Sequence, residues 1–187
     1  MKVMCLEKKN NIEYFIGSFK ESDEQSLVIE TCTKSISKYA FAHSAVEKIL
    51  FKECSPNIGE SAFEVCKNLH TVIFGMLGED GTVRESVLKN LNPNSVTGDY
   101  TIQLNAFKGC SKLTTLVLPE IKGTLAIEKD AFSSCEALRT VVALCDKIDF
   151  TGNPFADCPK HLTFICKEDS AVARFAREYG YGSAYVG

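Results

Sequence analysis

The chain has 187 residues, of which 45% are hydrophobic and 10% aromatic, and 21 basic against 24 acidic residues leave a net charge of −3. That is the composition of one globular domain, not of a disordered chain, and the charge balance leaves no overall footprint for nucleic acid or anionic lipid. No stretch approaches the roughly 18 apolar residues of a membrane span, so no membrane insertion is expected. Residues 1–30 hold no signal-peptide run, because the opening apolar residues are broken at once by Glu7, Lys8, Lys9, Asn10 and Asn11. The cysteines number nine, an odd count that disfavours a secreted disulfide scaffold and points to a cytoplasmic chain.

At the N-terminus two apolar segments, 3–6 and 12–16, flank Asn10 and Asn11, which suits a hairpin; residues 1–18 are read as an N-terminal hairpin cap. Phe19, with Ser22, Val28 and Ile29 after it, reads as a weak opening repeat. A stronger repeat follows. Ala-Phe or a near relative recurs at Phe41, Phe63, Phe107, Phe132 and Phe155, at intervals of 22, 44, 25 and 23 residues. Three residues after each Phe stands Ser44, Cys66, Cys110, Cys135 or Cys158, a column of small soft side chains that reads as structural core.

Apolar residues follow near the sixth, ninth and eleventh places, as in Leu69, Val72 and Phe74 or Leu113, Leu116 and Leu118, and this period-two ending reads as a short strand. Upstream of each Phe lies another anchor: Ile36, Ile58, Ile102, Ile127 or Ile148. Each unit therefore offers a strand, a return carrying an Ile, and a tight Ala-Phe turn. Such a unit cannot close a core alone and is completed by stacking, so residues 19–168 are read as about six to seven repeats.

The interval of 44 residues is read first as a doubled 22, with a degenerate unit in which Val87 replaces Phe and Asn90 replaces Cys, and otherwise as an insertion that contacts a partner at the rim of the solenoid. A capping-box pattern from Thr82 to Glu85 and the spacing of Val83, Val87, Leu88 and Leu91 predict a short helix over 83–91 within it. At the C-terminus Asp169 or Ser170 can cap a helix with Val172, Phe175, Ala176 and Tyr179 on one face and Gly180 at its end. Residues 169–187 are read as a C-terminal helical cap, with Arg174 and Arg177 toward the negative end of its dipole.

The pattern Ala-Phe-x-x-Cys-x-x-Leu-x-x-Val-x-Leu, with Pro119 after one strand and an Ile before each Phe, resembles the BspA-type leucine-rich repeat family over about residues 14–180. The resemblance implies an α/β repeat, a right-handed leucine-rich-repeat solenoid rich in strand, with a parallel concave sheet and short turns or helices on the convex side. It also implies a cell-surface or secreted protein that binds other proteins.

Catalytic chemistry finds no motif. Neither Cys-x-x-Cys nor His-x-x-x-His occurs, phosphate-binding and nucleophile-elbow motifs are absent, and no metal or cofactor is expected. A Cys–His enzyme is imaginable because His70 follows Cys66 by four residues and His161 follows Cys158 by three, yet Cys110 and Cys135 fill the same column without a histidine.

The strands carry the functional expectation. If the sixth, ninth and eleventh places point inward, the eighth and tenth point outward over the concave sheet. The eighth column reads Leu27, Lys48, Thr71, Thr115, Thr140 and Thr163; the tenth reads Ile29, Leu50, Ile73, Val117, Val142 and Ile165. An exposed apolar track of that length marks a partner site. The sequence therefore predicts a non-catalytic protein-binding module whose contacts are Ile73, Val117, Val142 and Ile165 beside the four threonines, with a second copy of the chain as one conceivable partner. Its setting is either cell-surface adhesion and host-protein binding or that of an intracellular inhibitor or adaptor, and a self-associating surface module is the alternative.

Overall fold

The structure, a computed structural model, describes residues 8–9, 12–15, 26–29, 33–51, 56–74, 98–119 and 121–186. Among them the chain winds as a solenoid with two seven-stranded sheets. The first sheet runs in the order β3 (Ser26–Ile29), β5 (Lys48–Phe51), β7 (Thr71–Phe74), β9 (Thr115–Val117), β11 (Thr140–Val142), β13 (Thr163–Cys166) and β14 (Gly182–Tyr185). The second contains β1 (Lys8–Lys9), β2 (Ile12–Phe15), β4 (Thr33–Ile36), β6 (Asn57–Ile58), β8 (Tyr100–Ile102), β10 (Leu125–Ile127) and β12 (Ile148–Phe150). Neighbouring strands pair in parallel, except that Lys8 and Lys9 pair antiparallel with Glu13 and Ile12.

One turn of the solenoid is a strand of the second sheet, an Ala-Phe turn and a strand of the first. The return is thus a strand in its own right, which places a second sheet where short turns or helices were expected. Its Ile36, Ile58, Ile102, Ile127 and Ile148 all point into the core. Beside them the five Phe rings stack at centroid separations of 5.0, 4.9, 5.1 and 5.3 Å, within 8° of parallel. That spacing matches the roughly 4.8 Å between adjacent strands, so identical side chains in successive turns meet face on.

The doubled interval is corrected by this stacking. Phe63 lies directly on Phe107, Ile58 pairs with Ile102, and Thr71 pairs with Thr115, so no turn stands between these two units. The 44 residues are one turn with extra chain between β7 and β8. Period arithmetic could not separate these cases, because an insertion near one repeat in length keeps the count in phase. The helix expected over 83–91, its Val87 and Asn90, and the opening residues Phe19 and Ser22 lie outside the described residues.

The Ala-Phe turns form a third hydrogen-bonded ladder. Phe41, Phe63 and Phe107 donate their N–H to Ala62, Ala106 and Ala131 at 2.7 Å, and Phe132 donates to Pro154 at 2.8 Å. Residues two before and two after Phe also donate to the next turn: His43 to Glu64, Ser61 to Leu104, Val65 to Lys108, Asp130 to Asn153 and Ser134 to Ala156. All five have positive φ, between 54° and 60°. This left-handed backbone accounts for His43, Asn105, Asp130 and Asp157, since Asn, Asp and His tolerate it best. In the fifth turn the positive φ before Phe155 moves to Gly152, because Asn153 precedes Pro154 and is held extended.

At the C-terminal end Ser170 caps the helix Ala171–Tyr179 by accepting from Ala173 N–H at 3.2 Å, and Gly180 ends it at φ 72°. Val172, Ala173, Phe175 and Ala176 are buried, and the Phe175 ring packs on Phe150 at 4.2 Å, covering the open end of the core. Arg177 sits in the last turn, whereas Arg174 turns back and donates to the Asp169 carbonyl at 3.0 Å, away from the dipole end expected for it. The chain then adds β14 beside β13, a strand the sequence pattern did not suggest.

Two stability outcomes follow from this packing. Phe107→Ala, which removes the middle ring of the stack, should cost about 3–5 kcal/mol in urea unfolding. Val65 is β-branched at φ 56°, and Val65→Asn should relieve about 1 kcal/mol and raise the melting temperature.

Candidate binding face

Strand alternation fixes what the first sheet shows on its outer side. Lys48, Thr71, Thr115, Thr140 and Thr163 stand in one register column, continued by Ser26 at one end and Gly182 at the other. Leu50, Ile73, Val117, Val142 and Ile165 stand in the next, continued by Val28 and Ala184. The opening members therefore differ by one residue from the sequence expectation, because Leu27 and Ile29 point into the core.

The two columns have different surroundings. The four threonines are half-buried, with edges that reach solvent. Ile73 and Val117 keep only 2% of their surface and Val142 only 7%. The open apolar track expected from alternation is thus corrected: these three pack with Leu144 into a cluster of their own, against which Leu50, Ile165 and Val186 also lie. Leu144 belongs to neither column and joins the cluster from outside the repeat pattern. Neither a partner nor a second copy meets Ile73, Val117 or Val142 as open surface, while Ile165 is half-buried.

The thiol column is structural, and it does more than fill space. Cys66, Cys110, Cys135 and Cys158 donate their S–H to the carbonyls of Phe41, Phe63, Phe107 and Phe132, one turn back, at 3.1, 3.3, 3.4 and 3.2 Å. Ser44 Oγ begins the column at 3.3 Å from Cys66 Sγ. Burial pushes the Cys110 thiol well above its ordinary range, and the neighbouring Cys158 together with burial does the same for Cys135.

A protonated thiol is what a donor to a carbonyl must be. It is also a poor nucleophile. The histidines do not alter this. His70 is exposed and its Nδ1 meets Thr71 Oγ1 at 2.8 Å, while Cys66 is fully buried, so the pair suggested by their spacing does not come together. His161 is likewise exposed, and the Cys158 thiol is spent on Phe132.

With the geometry in place, the relation to known proteins is direct. The pattern described as BspA type Leucine rich repeat region matches residues 9–98 and 34–163, in six copies. The chain belongs to the BspA-type leucine-rich repeat family. No curated protein matches it. Among solved structures it is similar to a leucine rich cell surface protein from Faecalibacterium prausnitzii A2-165, at 19% identity and a TM-score of 0.47. The match covers 88% of this chain and 32% of that one, so this chain spans about a third of that protein's length.

Within the family pattern, the Ala-Phe-x-x-Cys signature is now a physical statement: the Phe supplies ring and carbonyl, and the Cys supplies the donor. Among the described residues no helix is long and apolar enough to cross a membrane. The raised thiols carry a pH signature. Their protonated form is favoured by folding, so their contribution is complete below the unfolded thiol value of 9.0 and is lost as pH rises through the higher folded value. Cys66 and Cys158, lowered by their thiol neighbours, run the other way, so the difference is what tests this: between about pH 8 and about pH 10 a Cys110→Ser/Cys135→Ser variant, whose hydroxyls can donate to the same carbonyls, should lose less stability in urea unfolding than the native chain.

Proposed function

We propose that the chain is a non-catalytic module that binds a protein partner along the outer side of the β3–β14 sheet. The observation that carries this reading is the in-register column Thr71, Thr115, Thr140 and Thr163, a half-exposed row of hydroxyls one strand spacing apart on a rigid scaffold. Side chains held by a hydrogen-bonded ladder are already ordered before a partner arrives, which lowers the entropic cost of association. Ile165, half-buried at the C-terminal end of the second column, adds an apolar contact. We place the module at the cell surface or outside the cell, as in the family it belongs to. The described cysteines Cys66, Cys110, Cys135, Cys145, Cys158 and Cys166 are free but buried, and so fit an oxidising compartment as well as a reducing one.

The test is retention of proteins from source-organism surface extract and growth medium on immobilised chain, native against Thr115→Trp/Thr140→Trp. The bulky rings leave the core untouched, and circular dichroism checks the fold. A protein held by the native chain and lost by the variant supports the reading. Equal retention, or none by either, overturns it.

A further inference from the structure

The entry to the first sheet, between the thiol column and the strands, forms a further ladder. His70 N–H donates to Glu47 O at 2.8 Å, Thr114 to His70 O at 3.0 Å, Arg139 to Thr114 O at 3.0 Å and Thr163 to Arg139 O at 2.9 Å. Side chains in this stretch therefore leave from successive turns along one edge of the threonine column. Lys67, Lys112 and Arg139 are exposed between the thiol column and the strands, one, two and four residues after Cys66, Cys110 and Cys135, and Lys48 stands in the threonine column itself, in register with Thr71. Lys112 Nζ donates to Asn68 Oδ1 of the preceding turn at 3.2 Å, so it lies along the edge and spans two turns.

Among the described residues none of these cations is in an ion pair. The ion pairs of the described residues join Lys38 to Glu60, Lys129 to Asp130 and Lys167 to Asp146, all away from this edge. Its own acidic residues are Glu47 and Glu136, whereas Glu60, Glu64, Glu128, Asp130 and Asp157 lie on the turns and returns. A chain of net charge −3 thus shows a positive strip beside a row of hydroxyls.

We infer that this strip receives an acidic segment of a protein partner, lying in extended form along the turns with its carboxylates on Lys48, Lys67, Lys112 and Arg139 and its backbone against the threonine hydroxyls. The inference rests on the binding role proposed above and names its partner's chemistry. The cations occupy four turns, or about 14 Å at the spacing of adjacent strands. Such a length suits a few carboxylates. A long nucleic acid would run past the strip onto the negative remainder of the surface.

Fluorescence anisotropy tests this with a labelled peptide of alternating Glu and Ser, its Lys and Ser counterpart, and oligothymidylate. The Glu peptide should bind and the Lys peptide should not. Lys67→Glu/Lys112→Glu/Arg139→Glu should weaken binding at least about tenfold, as should raising salt from about 50 to about 200 mM in part. Lys67→Gln/Lys112→Gln/Arg139→Gln serves as the gentler variant should charge reversal disturb folding. Unchanged affinity in a folded variant overturns the inference, and so does tighter binding of oligothymidylate than of the Glu peptide. A partner lost by Thr115→Trp/Thr140→Trp but kept by the charge variants overturns the acidic strip alone. One kept by all of them overturns the sheet reading beneath it.

Discussion

The carbonyl of each repeat Phe is an acceptor shared between two turns, and the height of one turn above the next depends on it. Phe63 O takes the Cys66 N–H of its own turn at 3.4 Å and the Cys110 thiol of the next at 3.3 Å; Phe107 O does the same with Cys110 and Cys135 at 3.3 and 3.4 Å. The carbonyl is already paired with its own turn's N–H, so the next turn's thiol fills its second acceptor position, a bond worth about 0.5–1.5 kcal/mol, and each turn calls for its successor's Cys. The requirement has to end somewhere. At Phe155 no further thiol arrives, and the Tyr181 hydroxyl donates at 2.7 Å in its place. The C-terminal cap is therefore a chemical substitute for a missing turn as well as an apolar cover.

The same constraint explains which features were legible in the sequence. Phe, Cys and the inward Ile, Leu and Val repeat because a stacked core demands identical side chains at identical heights, and a repeated demand leaves a repeated residue. The strands of the second sheet were harder to see because β6 is only Asn57–Ile58 and β8 only Tyr100–Ile102, too short to show alternation; they hold together through their neighbours. Positive φ at Val65 left no trace, since Val is the wrong residue for it. The missing turn between Phe63 and Phe107 was hidden by an insertion whose length imitates a repeat.

The outer face marks where sequence reading reaches its limit in a different way. Alternation assigns Thr115 and Val117 alike to the outer side, and the register agrees. Side does not determine exposure. Val117 is buried in a cluster with Ile73, Val142 and Leu144, a residue outside the repeat, while Thr115 is half-buried beside the charged strand entries. On the proposed reading, binding by such a face would depend less on burying apolar area than on aligned hydroxyls and cations. Groups of that kind govern orientation and encounter rate more than raw affinity.

The extent of that face is itself set by packing. Gly182 occupies the threonine column on β14, and a Cβ there would lie 2.9 Å from Thr163 Oγ1, so the hydroxyl row stops at Thr163 for want of space. At the other end Lys48 replaces threonine in register and begins the positive strip. Between these limits the face offers five strands, cationic at one end and along one edge. A segment lying on it would meet Lys48 and Thr163 as chemically distinct ends. On the proposed reading a segment lying across the strands would have a direction, because it could not be reversed without exchanging Lys48 for Thr163 at its ends.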